Sequence, residues 1–171
     1  IPGLVGSEMC IRDSNIPVDY IKNCPECDSK LIRLDEDAKH YCVNTSNCLP
    51  QIKGKFEHFI SKKAMNIEEL GPKTIDLLFD NNLIQNIHDL YSLKYEDLLP
   101  FKKDGRKWAS NVIEGIEKSK TIPFEKVLFG LGIRYVGETV SLKLCKNLNN
   151  IDNIISSSYE ELINIDEIGE R

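Results

Sequence analysis

The sequence has no long apolar run, no excess of positive charge and no secretory leader. No uninterrupted apolar stretch approaches the roughly 18 residues of a membrane-spanning helix, so no membrane partner is expected. The N-terminal residues lack the basic and apolar regions of a signal peptide, which indicates a cytoplasmic protein. The 22 Lys and Arg residues against 27 Asp and Glu give a formal net charge of -5. Because this total argues mildly against nucleic acid as a partner, any such binding must depend on local charge.

The chain length and composition fit a small folded protein. Its 171 residues suffice for one ordinary domain or two small ones and are too few for most large multi-step enzymes. Hydrophobic residues make up 41% of the chain and charged residues 29%, a mixture that can bury a core and excludes extensive disorder or a fibrous repeat.

Four of the six cysteines cluster in one short segment of the sequence. Cys24 and Cys27 form a C-x2-C pair, whose tight turn directs two thiolates at one point, and Cys42 and Cys48 follow closely along the chain. This spacing is typical of metal ligands. Four thiolates complete a tetrahedral zinc site with no open position, so we predict one structural zinc ion that neither activates water nor binds substrate.

The residues between the two cysteine pairs predict a β-hairpin. Residues 30–34 and 39–42 favour short strands, and the acidic residues 35–37 favour a turn, so the ligands would lie at the base of a zinc ribbon. Two disulfides are the disfavoured alternative because no secretory signal is present. His40 as a ligand is also disfavoured, since a lone histidine on a short strand more often lies at the surface. Cys145 lies in an apolar helical pattern and is predicted to be a small core residue.

The second half of the chain, past residue 64, repeats itself. Residues 89–107 align without a gap over residues 153–171, and residues 66–73 match residues 164–171. Each repeat contains a turn glycine with an apolar residue four positions earlier, and successive turn glycines are almost evenly spaced. These glycines are Gly71, Gly105, Gly137 and Gly169. Helical patterns follow the first three, so the repeated unit is helix, glycine turn, helix.

The turn is the constant element of this repeat, which favours phosphate binding. Glycine lets the backbone approach a bulky anion, and a helix that begins there directs unpaired N–H groups and a favourable dipole at it. Cations lie in or after the turns, and they are Lys73, Arg106, Lys107, Arg134 and Arg171. The alternative is that the glycines only allow two helices to pack closely. Four such turns in register favour phosphate.

The spacing of the turn glycines also suits tetratricopeptide or ankyrin arrays, whose repeats have a similar period. The signature residues of both are missing, which disfavours a solenoid.

Longer motifs connect these two regions. In chain order they are CPEC at 24–27, CVN at 42–44, CLPQ at 48–51, HFISKKAMNI at 58–67, LG at 70–71, DLYSL at 89–93, IEKSK at 116–120 and LGIRYVGE at 131–138. In this order and spacing they resemble the zinc-finger and helix-hairpin-helix region of bacterial NAD-dependent DNA ligases, from about residue 15 to residue 171.

The resemblance implies a fragment of an enzyme that seals nicks in duplex DNA through an adenylated lysine, an adenylated 5′-phosphate and attack by the 3′-hydroxyl. In that family the NAD-binding, nucleotidyltransferase and oligonucleotide-binding barrel domains precede this region, and a BRCT domain usually follows. Catalytic residues, NAD and Mg are therefore expected outside the chain. The implied role is to bind nicked double-stranded DNA independently of sequence, as a monomer, and to position it for sealing in replication and repair.

Two segments need separate interpretation. Residues 102–105, KKDG, satisfy the K-x-D-G pattern of the nucleotidylated lysine, but that lysine precedes the zinc ligands in the family, and the internal repeat places this string in a hairpin turn. We interpret the match as chance. The family usually has a glycine near Phe101 or Lys102, so Gly105 is the weakest predicted phosphate contact. Residues 7–14 fit neither the family nor the repeat and are interpreted as non-native, so Cys10 is given no role.

We therefore predict a mainly α protein in which a small four-cysteine zinc ribbon, a β-hairpin, precedes an all-helical helix-hairpin-helix array. The expected boundaries are a barrel remnant and non-native segment at 1–19, the ribbon at 20–52, a linking helix at 53–64, and a DNA-binding helix-hairpin-helix domain at 65–171, truncated at its C-terminus. Phe56, Phe59 and Ile60 would share one face of the linking helix. The alternative function is a zinc-stabilised helical repeat scaffold that binds protein.

Overall fold

The computed structural model describes residues 20–33 and 39–169, and the chain divides into two units between Asn44 and Thr45. Several predictions concern residues outside this part: the barrel remnant and non-native segment with Cys10, the acidic turn at 35–37, and the cation at Arg171. The division into domains at 1–19, 20–52, 53–64 and 65–171 remains a prediction.

The first unit contains the predicted β-hairpin. Strands β1 (Leu31–Arg33) and β2 (His40–Cys42) pair antiparallel, with Leu31 opposite Cys42. The turn before β1 is closed by main-chain hydrogen bonds, in which the Cys24 N–H donates to the Ser29 carbonyl at 2.8 Å and the Asp28 N–H donates to the Cys24 carbonyl at 2.9 Å. Strands as short as these two are marginal on their own, so this hairpin depends on a further constraint.

The second unit is helical. Its α-helices are α1 (Leu49–Ile60), α2 (Pro72–Asp80), α3 (Tyr95–Leu98), α4 (Arg106–Ser119), α5 (Phe124–Gly130), α6 (Glu138–Leu148), α7 (Ile151–Ser156) and α8 (Tyr159–Ile163), with 3-10 turns at Ile87–Ser92 and Leu99–Phe101. The mainly α fold with a small zinc-ribbon hairpin is therefore confirmed. Among the described residues, no helix is both long enough and apolar enough to span a membrane.

The predicted linking helix is α1, displaced toward the N-terminus. Phe56, Phe59 and Ile60 are buried on one face, as expected. The helix begins directly after Cys48 because Pro50 in its first turn favours a helix start there. It ends at Ile60, before the predicted end, because the Met65 N–H donates to the Phe59 carbonyl at 3.0 Å and folds the chain back.

Three of the predicted turn glycines are followed by a helix. Gly71 precedes α2, Gly105 precedes α4 and Gly137 precedes α6, while Gly169 is the last described residue. A capping box begins α8, since the Ser158 N–H donates to a Glu161 carboxylate oxygen at 2.8 Å and the Glu161 N–H donates to the Ser158 hydroxyl at 3.2 Å.

The helices enclose two hydrophobic cores, and α5 contacts both, since Val127 packs against the first and Leu128 belongs to the second. The first is built from α1 to α4 and includes Phe56, Leu78, Leu90 and Val112. The second is built from α5 to α8 around Leu128, Leu144 and Ile165. The first core therefore supports the hairpins of Gly71 and Gly105, and the second supports the hairpin of Gly137 and the turn that leads from α8 to Gly169. The internal repeat, in which residues 89–107 align with residues 153–171 without a gap, corresponds to this pairing.

Candidate zinc site and nucleic-acid interface

The four cysteines predicted as zinc ligands converge on one point. Their Sγ atoms all lie within 4.8 Å of one another. The Cys27 and Cys42 sulfurs are 3.5 Å apart, close to the edge of about 3.8 Å of a tetrahedron built from Zn–S bonds of about 2.3 Å. All four are free cysteines, so the alternative of two disulfides is wrong. The donor set and its spacing fit one structural zinc ion.

The surroundings of Cys27 favour the thiolate that binds metal. Hydrogen bonds from the Ser29 side chain and backbone lower the pKa of Cys27 to about 6. Because the thiolate is the metal-binding form, this environment prepares the site for zinc near neutral pH. His40 does not belong to the cluster and instead stacks on Tyr20, with 4.9 Å between the ring centroids. Cys145 packs against the second core, as predicted, and burial raises the pKa of its thiol.

The turns before three of the glycines share a backbone feature that the sequence did not indicate. Each has a residue in the left-handed region two positions before the glycine. These residues are Glu69, Tyr135 and Glu167, with φ of 67°, 67° and 63°. The last two turns are also closed alike, since the Val136 N–H donates to the Ile133 carbonyl and the Ile168 N–H to the Ile165 carbonyl, both at 3.0 Å. A left-handed backbone conformation is expected at glycine or asparagine, so the identities of these three residues did not predict it.

The glycines of these three turns face open space. A Cβ atom built on Gly71, Gly137 or Gly169 would meet nothing within 4 Å, and none of the three has a left-handed φ. Ser or Asp would cap the following helix better than Gly does. Neither the backbone conformation nor internal packing therefore requires glycine at these positions. The open space leaves room for a molecule outside the chain to approach the main chain closely.

Gly105 differs from the other three turn glycines. It is buried, and a Cβ atom there would lie 2.9 Å from the Lys102 carbonyl oxygen and 3.1 Å from the Lys102 Cβ. Packing within its own turn therefore explains this glycine. The Lys102 ammonium group of the K-x-D-G string lies 4.3 Å from the centroid of the Trp108 ring. Burial of Gly105 does not support its predicted phosphate contact, which was already the weakest of the four.

The cations predicted from the sequence are exposed at the surface, whereas one lysine to which the sequence gave no role has a structural function. Lys73, Lys107 and Arg134 are exposed, and the Arg134 guanidinium lies 5.0 Å from the Tyr135 ring centroid. Lys143 on α6 instead forms an ion pair of 2.6 Å with Glu167 and donates to the Asp166 carbonyl at 3.2 Å. Lys143 thus fixes the turn before Gly169. Its partners belong to a different hairpin and are distant in sequence, so no local pattern could have revealed this role.

Comparison with known proteins identifies relatives of both units. Residues 23–49 match the model of the NAD-dependent DNA ligase C4 zinc finger domain, and residues 126–171 match the helix-hairpin-helix motif. The chain is 54% identical over 172 residues to a DNA ligase of Christiangramia forsetii and 49% identical over 175 residues to one of Phocaeicola vulgatus. Both alignments cover all of this chain and 26% of the relative. The predicted resemblance to the ligase zinc-finger and helix-hairpin-helix region is therefore confirmed, for a chain that spans about a quarter of the curated relatives it matches.

Proposed function

We propose that this chain is a segment of an NAD-dependent DNA ligase that binds nicked duplex DNA through main-chain contacts to phosphates. The observation that carries this proposal is the set of three equivalent turns with open glycines. In this role the chain holds the duplex while the adenylation and sealing steps, with NAD and Mg²⁺, take place in parts of the enzyme outside it. The zinc ion, enclosed by four thiolates, stabilises the hairpin and takes no part in the chemistry.

The helix ends beside the open glycines are suited to phosphate. No side chain caps the N-terminus of α2 or of α6. The first N–H of α2 is that of Lys73, because Pro72 has none, and the first N–H of α6 is that of Glu138. The N–H groups at such helix starts donate no hydrogen bond within their own helix. Phosphate oxygens accept such hydrogen bonds, and the helix dipole adds to the attraction. With no Cβ on Gly71 or Gly137, a phosphate can reach these N–H groups directly.

The charges beside the turns supply local attraction despite the acidic total. Lys73 lies in the first turn of α2, and Arg134 lies within the turn before Gly137. Main-chain groups and these cations contact phosphates, which are the same for every base pair, so binding is independent of sequence and weakens as salt increases. This local charge reconciles duplex binding with the overall charge of -5.

A titration with nicked duplex at two salt concentrations tests this function. The wild-type chain is expected to bind, and its affinity is expected to fall as salt rises. Gly137→Asp places a carboxylate where the phosphate would lie and is expected to lower the affinity roughly tenfold or more. The fold should tolerate the change, because a Cβ at Gly137 meets nothing within 4 Å and Asp is a good N-cap.

Asn149→Asp is the matched control, since it adds the same charge just after the other end of α6, at an exposed residue. Equal losses in the two variants would favour close helix packing over phosphate contact. A wild-type chain without salt-dependent affinity for duplex would instead favour the protein-binding scaffold.

A further inference from the structure

A groove of about 660 Å³ runs between α1 and the turn that precedes α6. One wall belongs to α1 and the other to the turn, with the end of α5 between them. The groove is lined by Gln51, Gly54, Lys55, His58, Phe129, Gly132, Ile133, Tyr135, Val136 and Gly137. The His58 Nε2–H donates to the Phe129 carbonyl at 2.9 Å, which joins the two sides. The groove thus extends away from Gly137 along a helix to which sequence reasoning gave no binding role.

Gly54 is a glycine that the fold does not require. It lies in the middle of α1, is exposed, and a Cβ atom built on it would meet nothing within 4 Å. Glycine inside a helix lowers its stability relative to alanine. The glycines of other helices have a packing reason, because a Cβ on Gly115 would lie 3.2 Å from the Glu68 carbonyl oxygen and one on Gly130 would lie 3.2 Å from the Phe59 ring.

The chemistry of the groove suits a sugar–phosphate strand. Its described lining includes Lys55 and His58 but no Asp or Glu, although acidic residues outnumber basic ones by 27 to 22 in the chain. Two apolar side chains of the turn project into solvent beside it, with Ile133 48% and Tyr135 60% exposed. The lining therefore offers an anion two basic side chains and no carboxylate, while deoxyribose rings find apolar contacts. The nearby Glu138, which follows Gly137, pairs with Lys63 at 3.9 Å.

We propose that this groove, the Gly54 groove, holds one sugar–phosphate strand of the bound duplex. The strand continues from the phosphate contact at Gly137 and lies against the main chain of α1 at Gly54, where a side chain would push it away. The Lys55 ammonium donates to the Thr45 carbonyl at 3.1 Å and offers its remaining N–H donors to the phosphates, and Ile133 and Tyr135 contact the sugars. The inference rests on the proposed function and extends the DNA-binding surface from the glycine turns to α1.

The test is Gly54→Gln, measured for thermal unfolding and for affinity to nicked duplex. The unfolding midpoint is expected to stay the same or rise, because the side chain enters open space and Gln is a better helix former. The affinity is expected to fall roughly tenfold. Asn147→Gln is the matched control, since it places the same side chain at an exposed site near the end of α6, outside the groove, and should bind as the wild type does.

The outcomes separate this inference from the proposed function. If Gly137→Asp loses affinity while Gly54→Gln binds as the wild type does, the groove does not hold the strand and the glycine turns alone bind DNA. A lower unfolding midpoint in Gly54→Gln would also overturn the inference, because packing would then explain the glycine. If the wild-type chain shows no salt-dependent affinity for duplex, both proposals fail together.

Discussion

At the scale of single residues, the described glycines other than Gly132, which has a left-handed φ of 66°, fall into two physical classes. In the first class a side chain would collide with a neighbouring atom, and its members are Gly105, Gly115 and Gly130. Gly54, Gly71, Gly137 and Gly169 have open space where a Cβ atom would lie. Sequence alone treats the members of both classes alike. The distinction matters because the first class stabilises the fold and the second is available to a binding partner.

Two Gly→Ala substitutions in helices test this division. Gly54→Ala is expected to raise the free energy of unfolding by about 0.5–1 kcal/mol, since it improves helix propensity without a clash. Gly130→Ala is expected to lower it by about 1–2 kcal/mol, because its Cβ would lie 3.2 Å from the Phe59 ring and 3.3 Å from the Ala64 Cβ. Urea unfolding measures both. A stabilising effect in both variants would contradict the assignment of Gly130 to packing.

At the scale of single elements, the zinc hairpin depends on its metal more than on a core. Its two strands are short, and of their side chains none is fully buried. Cysteine spacing and turn chemistry are local, so the sequence sufficed to predict the hairpin and the four ligands together. For such small modules the free energy of metal binding is largely the free energy of folding.

Replacing Cys42 by Ser tests this dependence. The variant is expected to lose its stoichiometric zinc and to show faster amide exchange in Leu31–Arg33 and His40–Cys42, because three thiolates leave the tetrahedral site incomplete. Zinc analysis and NMR measure the two effects. Cys145→Ser is the control that should keep its zinc, since this cysteine packs against the second core. Unchanged zinc content in Cys42→Ser would argue against the site.

The turn before Gly169 depends on one lysine for its attachment. The hydrogen bond to Glu167 raises the pKa of Lys143 above its ordinary 10.5, so the ion pair stabilises the folded state fully below that pH and is lost as the pH rises through the folded-state pKa. The stability difference between wild type and Lys143→Met is therefore expected to be constant from neutral pH to about pH 9 and to shrink above it. Chemical unfolding at several pH values measures this difference. A difference that instead grows with pH would contradict the pairing.

The turns also show where local sequence reasoning ends. The glycine positions and the helix starts after them were predictable, because apolar spacing and capping residues act within one turn. The left-handed conformations of Glu69, Tyr135 and Glu167 were not, since the fold imposes them on residues that do not prefer them. The start of α1 at Leu49 was missed because apolar periodicity marks the buried face of a helix more clearly than its ends.

At the scale of the whole molecule, the four glycine turns form two pairs, each pair beside its own hydrophobic core. We expect the pairs to unfold unequally when one core is damaged, because each buries its own apolar side chains. Leu144→Ala removes a buried side chain of the second core and is expected to cost about 2–5 kcal/mol. Amide exchange should then accelerate in α5 to α8 before α2 and α4. Leu78→Ala in the first core should give the opposite order, and uniform acceleration in both variants would contradict two cores.

Overall composition was the least informative property of the chain. The net charge of -5 argued against nucleic acid, whereas the Gly54 groove is lined by Lys55 and His58 without a carboxylate among its described residues. The fold class could be predicted from the repeat, because a turn that recurs at a regular spacing indicates a repeated structural unit. The groove of the further proposal did not follow from the sequence, since only the folded chain brings α1 beside the turn before α6.

The equivalence of the three open turns has a kinetic consequence. If the turns bind phosphate as proposed, several weak contacts on one polypeptide raise one another's effective concentration, so together they retain a duplex far longer than any one of them could. Each single contact still dissociates quickly, so the duplex would be released stepwise, without one large energy barrier. Under the proposed function, the chain would thus hold a nicked strand through a slow covalent reaction and afterwards dissociate without an input of energy.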